Sequence, residues 1–135
     1  MRVVLDSNVL IAAAATRGLC EAIVELCLER HQIVLGNGIL EEVQEKLIKK
    51  IKVPRSVALE YLELLRTSAE LVEPLKLSRS VCRDPDDLMV LGLVAPGAAD
   101  IVVSGDKDLL VIGKFAGARI VSPRDFWEKM QRGQG

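Results

Sequence analysis

The feature that most limits the folds open to this chain is an alternation. Short β-branched and aliphatic runs are separated by longer stretches whose apolar residues recur at helical spacing. Val3-Val4-Leu5, Ile33-Val34-Leu35, a run from Asp100 to Ser104 and Arg119-Ile120-Val121 have strand character. The first ends on Asp6, and after a break at Gly18 a helical pattern runs from Leu19 to Arg30. On it Glu21, Glu25 and Glu29 form a solvated stripe away from Ile23 and Leu26. Gly36-Asn37-Gly38 closes the second run, and Asn37 is expected to cap a helix patterned by Ile39, Val43, Leu47 and Ile51. Pro54 breaks that helix and starts another reaching about Ala69, which makes a helical hairpin joined at Lys52-Val53-Pro54.

From Glu70 to Val81 there is little periodicity, which predicts a short extended piece and a connection. Asp84-Pro85-Asp86-Asp87 then opens a helix that continues through Leu88 to Val94 and ends at Gly97. Asp84 is placed to cap it, proline suits its first position, and first-turn acids complement its dipole. Asp106-Lys107-Asp108 follows the third strand at a turn. Ser122-Pro123-Arg124-Asp125 has the form of a capping box for a last helix through Trp127 and Met130, and Gly133-Gln134-Gly135 is expected to fray.

Strands alternating with helices imply a parallel sheet covered on both faces, because parallel neighbours need crossovers and the crossovers supply the cover. A chain of 135 residues, half of them hydrophobic, is the size of one such domain, spanning 1–135. A net charge of −1 gives no general basic field for nucleic acid, so any such contact must come from a local patch. No apolar stretch is long enough to cross a membrane and none resembles a signal peptide, so the expected location is the cytoplasm. Cys20, Cys27 and Cys82 form no CxxC pair and read as small buried hydrophobes. Tyr61, Phe115, Phe126 and Trp127 are too scattered for a base-stacking platform. His31, the one histidine, lies between Arg30 and Gln32 just before a strand and reads as structural.

In parallel sheets the working site lies at the carboxyl ends of the strands, and that is where the acids fall. Asp6 closes the first strand, Asp106 follows the third, and Asp87 lies in the first turn of the helix before it. Two carboxylates about 4 Å apart repel by roughly 4 kcal/mol at an effective dielectric near 20, so a cluster must be neutralised, by protonation, a basic partner or a divalent cation. With hard oxygen donors and no histidine nearby, magnesium or manganese fits best. A cation held by acids at such a rim points to phosphate-ester chemistry.

Four segments carry a resemblance: Val-Val-Leu-Asp6-Ser7-Asn8-Val-Leu, Ile39-Leu40-Glu41-Glu42-Val43, Arg83-Asp84-Pro85-Asp86-Asp87 and Ile101-Val102-Val103-Ser104-Gly105-Asp106-Lys107-Asp108-Leu109-Leu110. In this order, over nearly the whole chain, they resemble the PIN-domain family, and more narrowly its toxin–antitoxin branch. The resemblance implies a three-layer α/β/α sandwich with a central, mainly parallel sheet. It also implies a Mg2+- or Mn2+-dependent ribonuclease, commonly a homodimer, inhibited by a small antitoxin protein. Asp6, Glu42, Asp87 and Asp106 match the family's four acids, of which Asp6, Asp87 and Asp106 would hold metal. Ser7, Asn8 and Ser104 match polar positions that orient the acids or water; the family usually has threonine where Ser104 stands. Asp108 would be a ligand of second rank.

Each residue also has a plainer reading. Asp6 serves as a turn residue, and Asp84, Asp86 and Asp87 as first-turn acids. Asp106 or Asp108 would cap a short helix. Helical periodicity does not separate Glu42 from Glu41, and Glu42 can pair with Lys46 one turn on, as Glu45 can with Lys49. Lys46, Lys49, Lys50, Lys52 and Arg55 form a local basic patch. With Lys107, Lys46, Lys49 and Lys50 are candidate RNA contacts, although a lysine-rich helix face is ordinary. A noncatalytic PIN-type module binding RNA or protein, a receiver-like phosphoacceptor and a metal-dependent phosphatase are the rival functions. The receiver reading would want a lone lysine at a late strand end, whereas Lys107 lies between two aspartates.

Overall fold

In the computed structural model, which describes residues 1–133, all four apolar runs form strands. The strands are β1 (Arg2–Leu5), β2 (Gln32–Leu35), β3 (Glu70–Leu71), β4 (Ile101–Val103), β5 (Lys114–Phe115) and β6 (Ala118–Val121). The helices are α1 (Ser7–Ala15), α2 (Leu19–Arg30), α3 (Asn37–Glu45), α4 (Arg55–Ser68), α5 (Pro85–Leu91), α6 (Lys107–Ile112) and α7 (Pro123–Gln131). Across the sheet the order is β3-β2-β1-β4-β6-β5, parallel throughout except for β5 against β6. The central strands are buried on both faces, with Val3, Val4, Leu5, Ile33, Val34, Leu35, Val102 and Val103 at most 1% exposed. This is why they read as continuous apolar runs and not as alternating ones. Of the three terminal residues expected to fray, Gln134 and Gly135 lie outside the described residues.

The order of the strands fixes where a ligand can sit. The chain moves outward from β1 to β2 to β3, then returns to lay β4 on the other side of β1. Connections therefore leave β1 and β4 in opposite directions and open a crevice at their carboxyl ends. Asp6 follows β1 and Ser104 follows β4, so both face this crevice. Right-handed crossovers put α5 and α6 on the face opposite α1 to α4, which gives the three layers.

Several local features differ from the sequence reading. The stretch after Asp6 is already helical, because α1 precedes the Gly18 break. Its apolar residues are nearly continuous and so show no 3.6-residue period, and its alanines favour helix. Gly36, not Asn37, occupies the cap of α3; its carbonyl accepts from the Ile39 and Leu40 N–H groups. A side chain there would be crowded, since a Cβ on Gly36 would lie 2.9 Å from Leu93 Cδ2 and 3.3 Å from the Val72 carbonyl oxygen. The end of the first hairpin helix widens into a π turn over Lys46–Lys50 before Pro54 begins α4.

Helix α5 stops at Leu91 and gives way to turns up to Gly97. At Gly92 the connection before α5 crosses so closely that a Cβ would come 2.5 Å from the Leu75 carbonyl oxygen. The Asp106-Lys107-Asp108 turn is the opening of the short helix α6, capped by Asp106. Asp84 and Ser122 cap α5 and α7 as expected, accepting from the Asp86 and Asp125 N–H groups at 2.9 and 3.1 Å. Cys27 is buried, whereas Cys20 and Cys82 are only half-buried. His31 lies edge-on to Phe126.

Candidate metal centre

Asp6 is 5% exposed and Asp87 is 3% exposed, a rare state for carboxylates with no cationic partner. The backbone explains how they come to be there. The Asp6 N–H donates to the Val103 carbonyl at 3.0 Å, so pairing of β1 with β4 carries one residue past the strand end and turns Asp6 into the crevice. Asp87 is the third residue of α5, behind the Asp84 cap and Pro85, and this first turn directs it back toward the sheet.

Ser104, wholly buried, ties the two sides together. Its hydroxyl donates to Asp6 Oδ2 at 2.6 Å and accepts from the Asp106 N–H at 3.0 Å. The Asp106 carboxylate in turn accepts from the Asp108 N–H at 2.9 Å, so one short chain of hydrogen bonds orients Asp6 and starts α6. Ser7 adds a long contact of 3.4 Å from its hydroxyl to Asp6 Oδ1. Removing the Ser104 hydroxyl leaves two buried polar groups short of a partner, which costs about 1–3 kcal/mol. Ser104→Ala is therefore expected to lower the melting temperature, and Ser104→Thr, which keeps the hydroxyl, to stay near the parent. Equal melting of the alanine and threonine variants would contradict the bridging role.

Oxygens of Asp84, Asp87 and Asp106 all lie within 4.8 Å of one another. Asp84 was expected only to cap α5. Its Oδ1 does so, and the same carboxylate also joins this group. Sequence alone gave no sign of this second role, since the cap accounts for the residue. The electrostatics follow from the crowding. Burial pushes the Asp87 carboxyl up to about 7, helped by its hydrogen bond to Asp106 and by the charges of Asp106, Asp84 and Asp6. Asp6 is raised as well, chiefly by burial and then by Glu42 and Asp106, against the lowering effect of the Ser104 hydroxyl and the Ser7 backbone N–H. A proton or a bound cation relieves this repulsion, and three oxygens converging without a histidine or thiolate among them would fit magnesium or manganese.

The remaining candidates surround this group at different distances. Glu42 is half-buried on α3, near enough to raise both Asp6 and Asp86, and its Oε2 lies 2.8 Å from Lys46 Nζ. The pairing considered from sequence thus forms, and it leaves Lys46 engaged. Glu45 and Lys49 form no such pair among the described residues. Asn8, Lys107, Asp108, Lys49 and Lys50 are exposed. Cys82, which sequence reading treated only as packing, places its Sγ 3.7 Å from Asp87 Oδ2.

An open, mainly parallel α/β sheet with carboxylates gathered at its switch point belongs to the doubly wound proteins that bind ligands beyond the strand ends. Within that class the match is specific: residues 2–108 match the PIN domain, and the chain belongs to the PIN-domain family. Two solved structures share the fold. A chain of VapBC2 from Rickettsia felis, solved bound to a DNA fragment from its promoter, aligns with a TM-score of 0.61 at 13% identity, covering 90% of this chain and 98% of that one. PAE2754 from Pyrobaculum aerophilum aligns with a TM-score of 0.66 at 17% identity, covering 98% of this chain and 90% of that one. No curated protein matches the sequence.

Proposed function

We propose that this chain is a divalent-metal-dependent endoribonuclease and the toxin of a toxin–antitoxin pair. The observation that carries the reading is the group of acids at the switch point, with Asp6 and Asp87 buried and in no ion pair among the described residues, in a chain of the PIN family. Asp6, Asp87 and Asp106 would hold Mg2+ or Mn2+, with Asp84 adding a further oxygen. When bound, the ion supplies charge stabilisation at the reacting phosphate and lowers the pKa of water.

The chain's own residues do the rest. Ser104 and Ser7 fix the orientation of Asp6, and Asp106 is held by its place at the start of α6. Glu42, with one oxygen tied to Lys46, keeps the other to accept a proton from the water that attacks the RNA phosphodiester in line. Asn8 and Asp108 are further polar candidates, and of the lysines expected to contact RNA, Lys107 adjoins Asp106, whereas Lys46 and Lys49 stand beside Glu42, Glu41 and Glu45. Similarity in fold to a chain of the VapBC2 assembly supports a small antitoxin as partner. Val57 and Leu64, seven residues apart on one side of α4 and 52% and 46% exposed, would supply apolar surface to a homodimer. A cytoplasmic location accords with this reading, and no helix among the described residues is long and apolar enough to cross a membrane.

Cleavage of a mixed single-stranded RNA by purified protein in magnesium tests the reading. Asp6→Asn is expected to reduce the rate by roughly two to three orders of magnitude, the equivalent of several kcal/mol of transition-state stabilisation. Undiminished cleavage by this variant would remove Asp6 from the site. Turnover of a phosphomonoester but not of RNA would select the phosphatase instead.

A further inference from the structure

Resting on the nuclease reading, the geometry points to a phosphate-binding arm for the RNA strand, built from Arg79 and Arg83 in the turn that leads into α5. These side chains line a cleft of about 230 Å³ with Ser80, Cys82, Asp108 and Ile112. The cleft is continuous with the acids: Cys82 Sγ lies 3.7 Å from Asp87 Oδ2, Asp108 donates its N–H to Asp106, and Arg83 directly precedes Asp84. Both arginines are exposed, and among the described residues neither forms an ion pair.

Charge explains why such an arm is needed. A polyanion approaching several clustered carboxylates is repelled, and a bound cation serves only the phosphate that reacts. Phosphates on either side require cations of their own. Guanidinium groups suit them, because their planar donors match phosphate oxygens in pairs. In the cleft two arginines face one carboxylate, Asp108, whereas the groove beside the helical hairpin sets Lys49 and Arg55 against Glu41 and Glu45. Lys46 is already held by Glu42. In the hairpin patch, conspicuous in sequence, Lys46, Lys49 and Arg55 thus stand beside acids, and the arginine turn, with Lys107, brings positive charge that is unpaired among the described residues next to the carboxylate group.

Binding of a fluorescent, unstructured single-stranded RNA to full-length Asp6→Asn protein, measured from about 50 to 200 mM salt, separates the two surfaces. Adding Arg79→Gln and Arg83→Gln is expected to weaken binding about tenfold and to flatten the salt dependence by about 1.4 in log–log slope, roughly 0.7 for each lost phosphate contact. Lys49→Gln with Lys50→Gln should leave the slope unchanged. An unchanged slope in the arginine variant, or an equal loss in the lysine variant, overturns the arm while leaving the nuclease reading intact. Failure of the Asp6→Asn protein to bind RNA at all overturns both.

Discussion

Asp87→Asn is expected to abolish RNA cleavage and at the same time to make the metal-free protein more stable. The two effects have one cause. Asp87 is buried among acids that raise its carboxyl from 3.8 to about 7, so at neutral pH and above, the folded chain carries a charge it would hold more comfortably unfolded. A folded-state pKa above the unfolded one means that the native state binds the proton more tightly. The associated stability is complete below about pH 4 and is lost as the pH rises through about 7. A shift of this size corresponds to at most about 4 kcal/mol above pH 7, an upper bound because the surroundings relax around the ionised carboxylate.

Asparagine reproduces the protonated carboxyl, since its amide donates to Asp106 as the acid proton does. Thermal melts in chelator should therefore show a parent protein that loses stability between about pH 5 and 8 and an Asp87→Asn variant whose curve is flatter and higher at the alkaline end. Asp6, raised in the same direction, leaves a residual slope in the variant. A variant melting well below the parent at about pH 8 would mean that the Asp87 charge is compensated in the native state, contrary to the crowding described above.

This conflict between stability and function marks where the sequence was easy to read and where it was not. Val3-Val4-Leu5 followed by Asp6 is legible because an apolar run buried on both faces cannot end in a carboxylate without a reason. Ser104 is legible for the same cause at the end of β4. Segment α1 is not, because a helix packed on most of its surface lacks the period that reveals a half-exposed one. Strand β5 is two residues long and exists only through the turn at Ala116-Gly117, where both residues take positive φ.

At the site, the roles of Glu41 and Glu42 are separated only by tertiary packing. Glu42 is half-buried against Lys46 and near Asp6, while Glu41 is exposed. Asp84 illustrates the opposite failure. A sufficient local explanation, the cap, concealed a second use of the same carboxylate. Arg83 opens one of the four segments but was read there only as a neighbour of the acids, Arg79 lies outside them, and their placement beside the acids depends on the connection that folds back past Gly92.

Magnesium or manganese should bind the metal-free chain with release of a proton, and its affinity should rise steeply with pH up to about 7. Ligation needs the ionised form of Asp87, whose carboxyl stands at about 7, so each pH unit below that value removes about tenfold from the population competent to bind. Calorimetry in two buffers of different ionisation enthalpy reads the proton release directly. At a metal concentration about a hundredfold above the dissociation constant the gain in stability is about 2.7 kcal/mol, enough to offset much of the native-state repulsion. The melting temperature should then rise far more on adding metal at about pH 8 than at about pH 5. Asp87→Asn should show neither the pH dependence nor most of the uptake. A chain that takes up neither ion at any pH is the noncatalytic PIN module, with its acids held apart from water by the fold alone. Uptake without proton release would instead mean that Asp87 stands outside the coordination sphere and that Asp6, Asp84 and Asp106 hold the ion among themselves.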